Sequence, residues 1–273
     1  MQRDPISRNN VTVSGNLNAP QTLLFAHGMG TDQAVWKQIT SAFEADYKWV
    51  SFDNVGAVES NQADFRSRSF HYLNINGYAS DLLEICSALK LSGNTNFIGH
   101  SIGAMAGLIA ATQRPGQFKA LVLLGVSPCY QNVDGYEGGF TKEDIDKTYE
   151  ALASDYPAWT KAVSAAAMGN PDQPQLAEHF AQTMARVPKE MMLTVLCSIL
   201  QMDHRSDLPK VAVPVLLIQS HKDIFVPLGV ASYLQANIPD CQLKVIDAMG
   251  HLPHVSASDK VIEAIRDFLS SNR

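Results

Sequence analysis

Gly99-His100-Ser101-Ile102-Gly103 joins an apolar run, Thr95-Asn96-Phe97-Ile98, to a helix-like run over 104–111. A chain that passes from strand to helix in so few residues has to turn sharply, with the serine at the apex. Glycines flank it because larger side chains would collide around a strained backbone. Such a turn projects the hydroxyl into a cleft. It also sets the N–H of Ile102 at a helix N-terminus, where it can stabilise a negative oxygen. The competing reading is an ordinary glycine-bounded turn, and the strand-to-helix context argues against it.

The same alternation runs through most of the chain. Val11-Thr12-Val13 reads as an edge strand, and 22–26, 48–52, 95–98, 120–124, 215–218 and 243–246 as further strands. Helical patterns occupy 33–43, 78–89, 104–111, 228–236 and 261–269, the second with Leu82, Leu83, Ile85, Cys86 and Leu89 on one apolar stripe. Near-continuous apolar strands separated by helices predict an α/β fold: a mostly parallel sheet flanked by helices on both faces. Between residues 127 and 208 no strand pattern appears. Helical stretches at 142–154, 157–168, 174–185 and 188–202 follow one another instead, three of them opening near a proline. A helical insertion of this kind cannot lie in the sheet layers, so it is expected to cap them. The domain reading is therefore a core of residues 1–126 and 209–273 with a four-helix lid over residues 127–208.

Composition narrows the function classes. A net charge of −6 argues against nucleic acid as a partner, since phosphate recognition needs clustered Lys and Arg. No apolar run is long enough to span a bilayer, so no membrane association is expected. Residues 1–8 contain no apolar core of a secretory signal. Cys86, Cys129, Cys197 and Cys241 are far apart and form no C-x-x-C pair, which reads as isolated buried thiols in a reducing compartment, the cytoplasm.

A serine nucleophile needs a base to take its proton and a group to orient that base. In a parallel sheet both should lie on loops at the carboxyl ends of strands. His251 follows the last strand through Asp247-Ala248-Met249-Gly250, and Asp223 follows the strand before it in Ser220-His221-Lys222-Asp223. The chain order Ser101, Asp223, His251 is the order this architecture uses. His254 is the alternative base, further from the strand, while His204 and His221 lack a suitable position. Asp247 and Asp53 are alternative acids, the first sharing a loop with the base and the second reading as a turn or capping residue. Two histidines without a third ligand do not make a metal site, so no metal and no cofactor is expected. The second oxyanion donor is assigned to the N–H of Met29 in His27-Gly28-Met29-Gly30, beside that of Ile102. His27 reads as a turn or packing histidine and is also carried as a candidate substrate contact. Five of the nine methionines fall in the helical insertion, which suits either its own core or an adaptable apolar cavity.

These residues make the chain resemble an α/β-hydrolase. Within that superfamily it is similar to the branch of the bacterial stress-signalling regulator RsbQ and the plant karrikin and strigolactone receptors. The resemblance rests on His27-Gly28-Met29-Gly30-Thr31-Asp32-Gln33-Ala34-Val35-Trp36, Phe52-Asp53-Asn54-Val55-Gly56, Gly99-His100-Ser101-Ile102-Gly103-Ala104, Gly138-Gly139-Phe140 and Gly250-His251-Leu252-Pro253-His254. Ser127-Pro128-Cys129-Tyr130 and Asp203-His204-Arg205 look closer to the bacterial regulator. The resemblance implies a V-shaped four-helix lid, Ser101, Asp223 and His251 as triad, and the N–H groups of Met29 and Ile102 as oxyanion hole. It further implies Tyr130, Phe140, Trp159, Val163, Ile199, Leu200 and Phe225 as pocket residues. Met29 stands where the branch often has Phe, and relative to the karrikin receptors Val163 is smaller and Phe225 larger than expected.

Two functions follow. One is hydrolysis of a small apolar ester or lactone, butenolide-like, by Ser101. The other is a small-molecule receptor with slow or no turnover, whose lid recruits a protein partner; the resemblance suggests a sensory-domain phosphatase. An aspartate at the turn would point to dehalogenase chemistry, and Ser101 argues against it.

Overall fold

The structure, a computed structural model, describes residues 3–272. Part of the signal-peptide expectation, residues 1 and 2, lies outside the described residues. Among the described residues seven strands form one sheet: β1 (Thr12–Gly15), β2 (Thr22–Ala26), β3 (Lys48–Phe52), β4 (Thr95–His100), β5 (Ala120–Leu124), β6 (Val215–Lys222) and β7 (Cys241–Met249). Their order is β1-β3-β2-β4-β5-β6-β7, with β1 antiparallel to β3 and every other pair parallel. Helices α1 (Pro5–Arg8), α2 (Lys37–Phe43), α3 (Gln62–Ser67), α4 (Asn76–Ala88) and α5 (Ile102–Gln113) precede β5. Between β5 and β6 come α6 (Lys142–Ser154), α7 (Tyr156–Met168), α8 (Pro174–Met184) and α9 (Lys189–Leu200). Helices α10 (Leu228–Asn237), α11 (Pro253–Ser256) and α12 (Ser258–Ser271) complete the chain.

Side chains alternate across a strand, so each strand feeds two cores. Leu23, Phe25, Ile98, Val122, Leu124 and Ile218 pack on one face with Ile39 and Phe43 of α2 and Val261, Ile265 and Phe268 of α12. Leu24, Phe97, Leu121, Leu123 and Leu217 pack on the other with α4, α5 and α10. Fully burying each such side chain contributes about 1.5–3 kcal/mol, which is why the apolar runs read so clearly as strands. Helix α5 lies close on β4 because Gly107 faces the Phe97 ring, where an added Cβ would overlap it.

The helical stretches of the insertion fall within a few residues of their sequence expectation, and the apolar residues of α6–α9 are continuous with the second core. Short bridges, Cys129 with Asp203 and Gln131 with Phe140, pair backbone within that segment where no strand pattern was visible. The stretch 33–43 is a 3-10 turn over Gln33–Trp36 followed by α2, because Asp32 caps only the tight first turn through the Ala34 N–H. The four thiols are free, but only Cys86 and Cys129 are buried; Cys197 and Cys241 are partly exposed, which corrects the expectation of four buried cysteines. No helix among the described residues is long and apolar enough to cross a membrane.

Candidate active site

Ser101 sits between β4 and α5 with φ 52° and ψ −122°, in left-handed space that a side chain rarely occupies. Several close approaches hold it there. A Cβ on Gly99 would strike Ala104, one on Gly103 would strike the carbonyls of Ala26 and His27, and the Ser101 N–H donates to the Leu124 carbonyl at 2.9 Å. The glycines around the serine therefore serve packing as much as conformation.

Three strand ends converge here. Ser101 Oγ lies 2.9 Å from His251 Nε2, and His251 Nδ1 lies 2.7 Å from Asp223 Oδ2. Asp223 projects from the end of β6, its side chain 1% exposed. Its Oδ1 accepts from the N–H groups of Phe225 at 2.9 Å and Val226 at 3.2 Å. Burial pushes the Asp223 carboxyl up. The neighbouring His251, by charge and hydrogen bond, and these two backbone N–H groups outweigh it and hold the carboxyl below its ordinary value. Asp223 is thus ionised at neutral pH and accepts from His251, which directs the Nε2 lone pair at Ser101. Asp223→Asn is expected to lower kcat about ten-thousand-fold by favouring the wrong imidazole tautomer. A stopped-flow ester assay checks this, and an unchanged rate would remove Asp223 from the relay.

The alternative residues are placed elsewhere. His254 lies in α11, fully buried, its ring stacked 4.6 Å from Trp36, and neither ring nitrogen has a hydrogen-bond partner among the described residues. Burial first, then repulsion from His251 and His27, pushes it down to about 3, so it is neutral at physiological pH. Asp247 has a fully exposed side chain paired with Lys260 at 3.2 Å. Asp53 accepts from the Gln33 N–H at 2.9 Å and from Asn10 at 3.1 Å, bracing loops.

The Ile102 N–H opens α5 and has no acceptor within the helix. Gly28 presses against Ser101 and His100 so closely that a Cβ there would overlap the His100 ring, which brings the backbone of Met29 beside the serine. A cavity with about 630 Å³ of atom-free space, its open mouth included, lies above. Ser101, His251 and Met29 line it, as do Tyr130, Phe140 and Phe225. Trp159 and Val163 of α7 and Ile199 and Leu200 of α9 form its roof. Burial raises the Tyr130 hydroxyl well above its ordinary value, so it stays neutral.

His27 is not brought to this cavity. Its Nε2 accepts the Asn54 N–H at 2.9 Å and its Nδ1 donates to the Gly28 carbonyl at 2.8 Å, so the ring braces the turn and borders a neighbouring cavity. Both ring nitrogens are engaged by backbone, and the ring lines that second cavity and not the one that holds Ser101.

Two contacts were missed. The His100 Nε2 donates to the His251 carbonyl at 2.8 Å, tying the base loop to the serine turn; adjacency to Ser101 was the available signal. The His251 N–H donates to the Ala167 carbonyl at 2.6 Å, in the last turn of α7. No sequence signal marks that bond, because it depends on how the helical layer settles. Phe180, Met184 and Leu196 also line the cavity, although their pattern reads equally as helical core.

The family described as alpha/beta hydrolase fold matches residues 21–258. The chain is 38% identical over 257 residues to the karrikin insensitive 2 receptor CA of Petunia hybrida, covering 94% of this chain and 93% of the relative. It is 35% identical over 260 residues to the strigolactone esterase D14 of Arabidopsis thaliana, covering 94% of both. Among solved structures, a hydrolase from Oleispira antarctica superposes with a TM-score of 0.92 at 29% identity, over 98% of this chain and 96% of that one.

Proposed function

Because the chain belongs to the alpha/beta hydrolase fold family, we propose that it hydrolyses small apolar esters or lactones with Ser101 as nucleophile, His251 as base and Asp223 as the group that orients it. One observation carries the reading: the relay from Asp223 through His251 to Ser101, with distances of 2.7 and 2.9 Å, ends in an apolar cavity. His251 Nε2 takes the Ser101 proton as Oγ bonds to the carbonyl carbon. The carbonyl oxygen becomes an oxyanion held by the N–H groups of Met29 and Ile102. Collapse of the intermediate breaks the bond to the alcohol oxygen, which leaves with the proton from His251. Water then gives a proton to His251 and its hydroxyl to the acyl carbon, and the proton returns to Ser101 as the acid departs. The substrate class follows from the walls, which are aromatic and aliphatic apart from the reacting groups.

A second reading, ligand reception coupled to a protein partner, rests on the bond between the His251 N–H and the Ala167 carbonyl. Residues 127–208, read as a lid, are tied to the base by that bond, so a group attached to Ser101 is felt in α7. A relative named as a karrikin receptor supports the same reading. Here the partner is a signalling protein of the kind the bacterial regulator serves, in a reducing cytoplasm that suits four free thiols. One experiment addresses both readings. A serine-directed sulfonyl fluoride is expected to add one group to Ser101 by intact mass and to change hydrogen exchange in 127–208. Adduct without altered exchange leaves the plain hydrolase, and absence of adduct argues against both.

A further inference from the structure

A second cavity lies behind the wall that Met29 forms. It has about 350 Å³ of atom-free space, mouth included, and its walls come from Val55, Tyr78, Val187, Met192 and Val195. Met29 and Ile102 stand at its near end, and Met29 borders both cavities. Ser101 and His251 line the first cavity and not the second.

We propose that the second cavity is an acyl subsite. It takes the unbranched aliphatic chain on the carbonyl side of an ester, the first cavity takes the alcohol, and the Met29 side chain sets how long a chain passes. The proposal deepens the hydrolase reading and rests on it.

Stereochemistry decides which cavity takes which part. The substrate carbonyl oxygen has to sit on the N–H groups of Met29 and Ile102. The alcohol oxygen has to come within reach of His251 Nε2, because it leaves with that proton. The remaining substituent on the carbon, the acyl chain, therefore departs on the side away from His251. The cavity bordered by both oxyanion residues but not by His251 meets that requirement. Its chemistry selects the same occupant. No Lys, Arg, Asp or Glu lines it among the described residues. The polar neighbours His27 and Asn54 engage each other, with Asn54 donating from its N–H to His27 Nε2 and from its amide to the His27 carbonyl, each at 2.9 Å. Walls of this chemistry suit an alkyl chain and disfavour a carboxylate. Methionine, unbranched and with three rotatable bonds, is a divider that yields, whereas a ring is a fixed one.

The test is kcat/KM of the full chain for p-nitrophenyl acetate, butyrate and hexanoate. Val195→Trp fills the subsite from its far wall and Met29→Phe stiffens its entrance. Each excluded methylene is worth about fourfold, so both variants are expected to lower the hexanoate-to-acetate ratio at least tenfold. Val163→Trp, on the roof of the first cavity, is expected to change the preference between methyl and naphthyl alcohols and to leave the chain-length ratio alone. Ratios for V195W and M29F within twofold of wild type would overturn the subsite, as would a Val163→Trp variant that is the one to move them. Where wild type turns over acetate in a Ser101-dependent manner, that failure falls on the subsite alone. Absence of all Ser101-dependent turnover in wild type sinks the hydrolase reading itself, and the subsite with it.

Discussion

Ser101→Ala lowers kcat on small activated esters by about a million-fold, the usual cost of removing the nucleophile from such a relay. The substitution deletes one oxygen and little else. Alanine and serine carry a similar burden at φ 52°, and the neighbouring contacts that impose this conformation come from Gly99, Gly103 and the Leu124 carbonyl, all unchanged. The variant is therefore expected to melt with wild type while losing the acyl-enzyme burst. Steady-state hydrolysis beside a thermal melt checks both statements. Turnover within tenfold of wild type, in a folded variant, would mean that some other group attacks the carbonyl.

His251→Ala should cost nearly as much, because the Ser101 hydroxyl is a weak nucleophile without a base at 2.9 Å. Here the fold suffers as well. Asp223, 1% exposed, loses the cation-capable partner at 2.7 Å and keeps only its N–H donors, so its carboxyl rises. His254→Ala is the control. It opens space beside Trp36 and lowers stability, yet it touches neither Ser101 nor Asp223, so kcat is expected to stay within a few-fold. Paired kinetics on the two variants decide the matter, and a reversed ranking would reassign the base.

The residues legible in the sequence are those whose role is written in local chemistry. Gly99 and Gly103 announce a turn around Ser101 because a Cβ at either would strike neighbouring backbone. Asp223 and His251 could be found because a parallel sheet sends its working groups to the carboxyl ends of strands, and both follow apolar runs. The roof residues Trp159 and Val163 came from resemblance alone, since helical periodicity cannot tell a side chain facing a cavity from one facing a neighbouring helix. His27 shows the same limit, since the sequence does not reveal the Asn54 N–H on its Nε2 or which cavity the ring borders. The bond from the His251 N–H to the Ala167 carbonyl joins backbone to backbone over 84 residues and leaves no trace in residue type.

The helical layer leaves the sheet after β5 and returns at β6, and those two strands are hydrogen-bonded neighbours. Its stem is stitched by the bridge between Cys129 and Asp203 and by the His204 N–H on the Pro128 carbonyl at 2.8 Å. Topologically the whole insertion is one long crossover between parallel neighbours, and both its ends meet at this seam. A foreign cap spliced at that seam would inherit the strand register without adjusting it. Besides its apolar contacts with the core, it would have to offer a carbonyl at the place of Ala167 to the His251 N–H, one at the place of Arg186 to the Gln62 amide, and a donor like Asn170 to the Met249 carbonyl. Evolution can thus exchange roofs over an unchanged reaction centre, and a protein engineer has the same freedom.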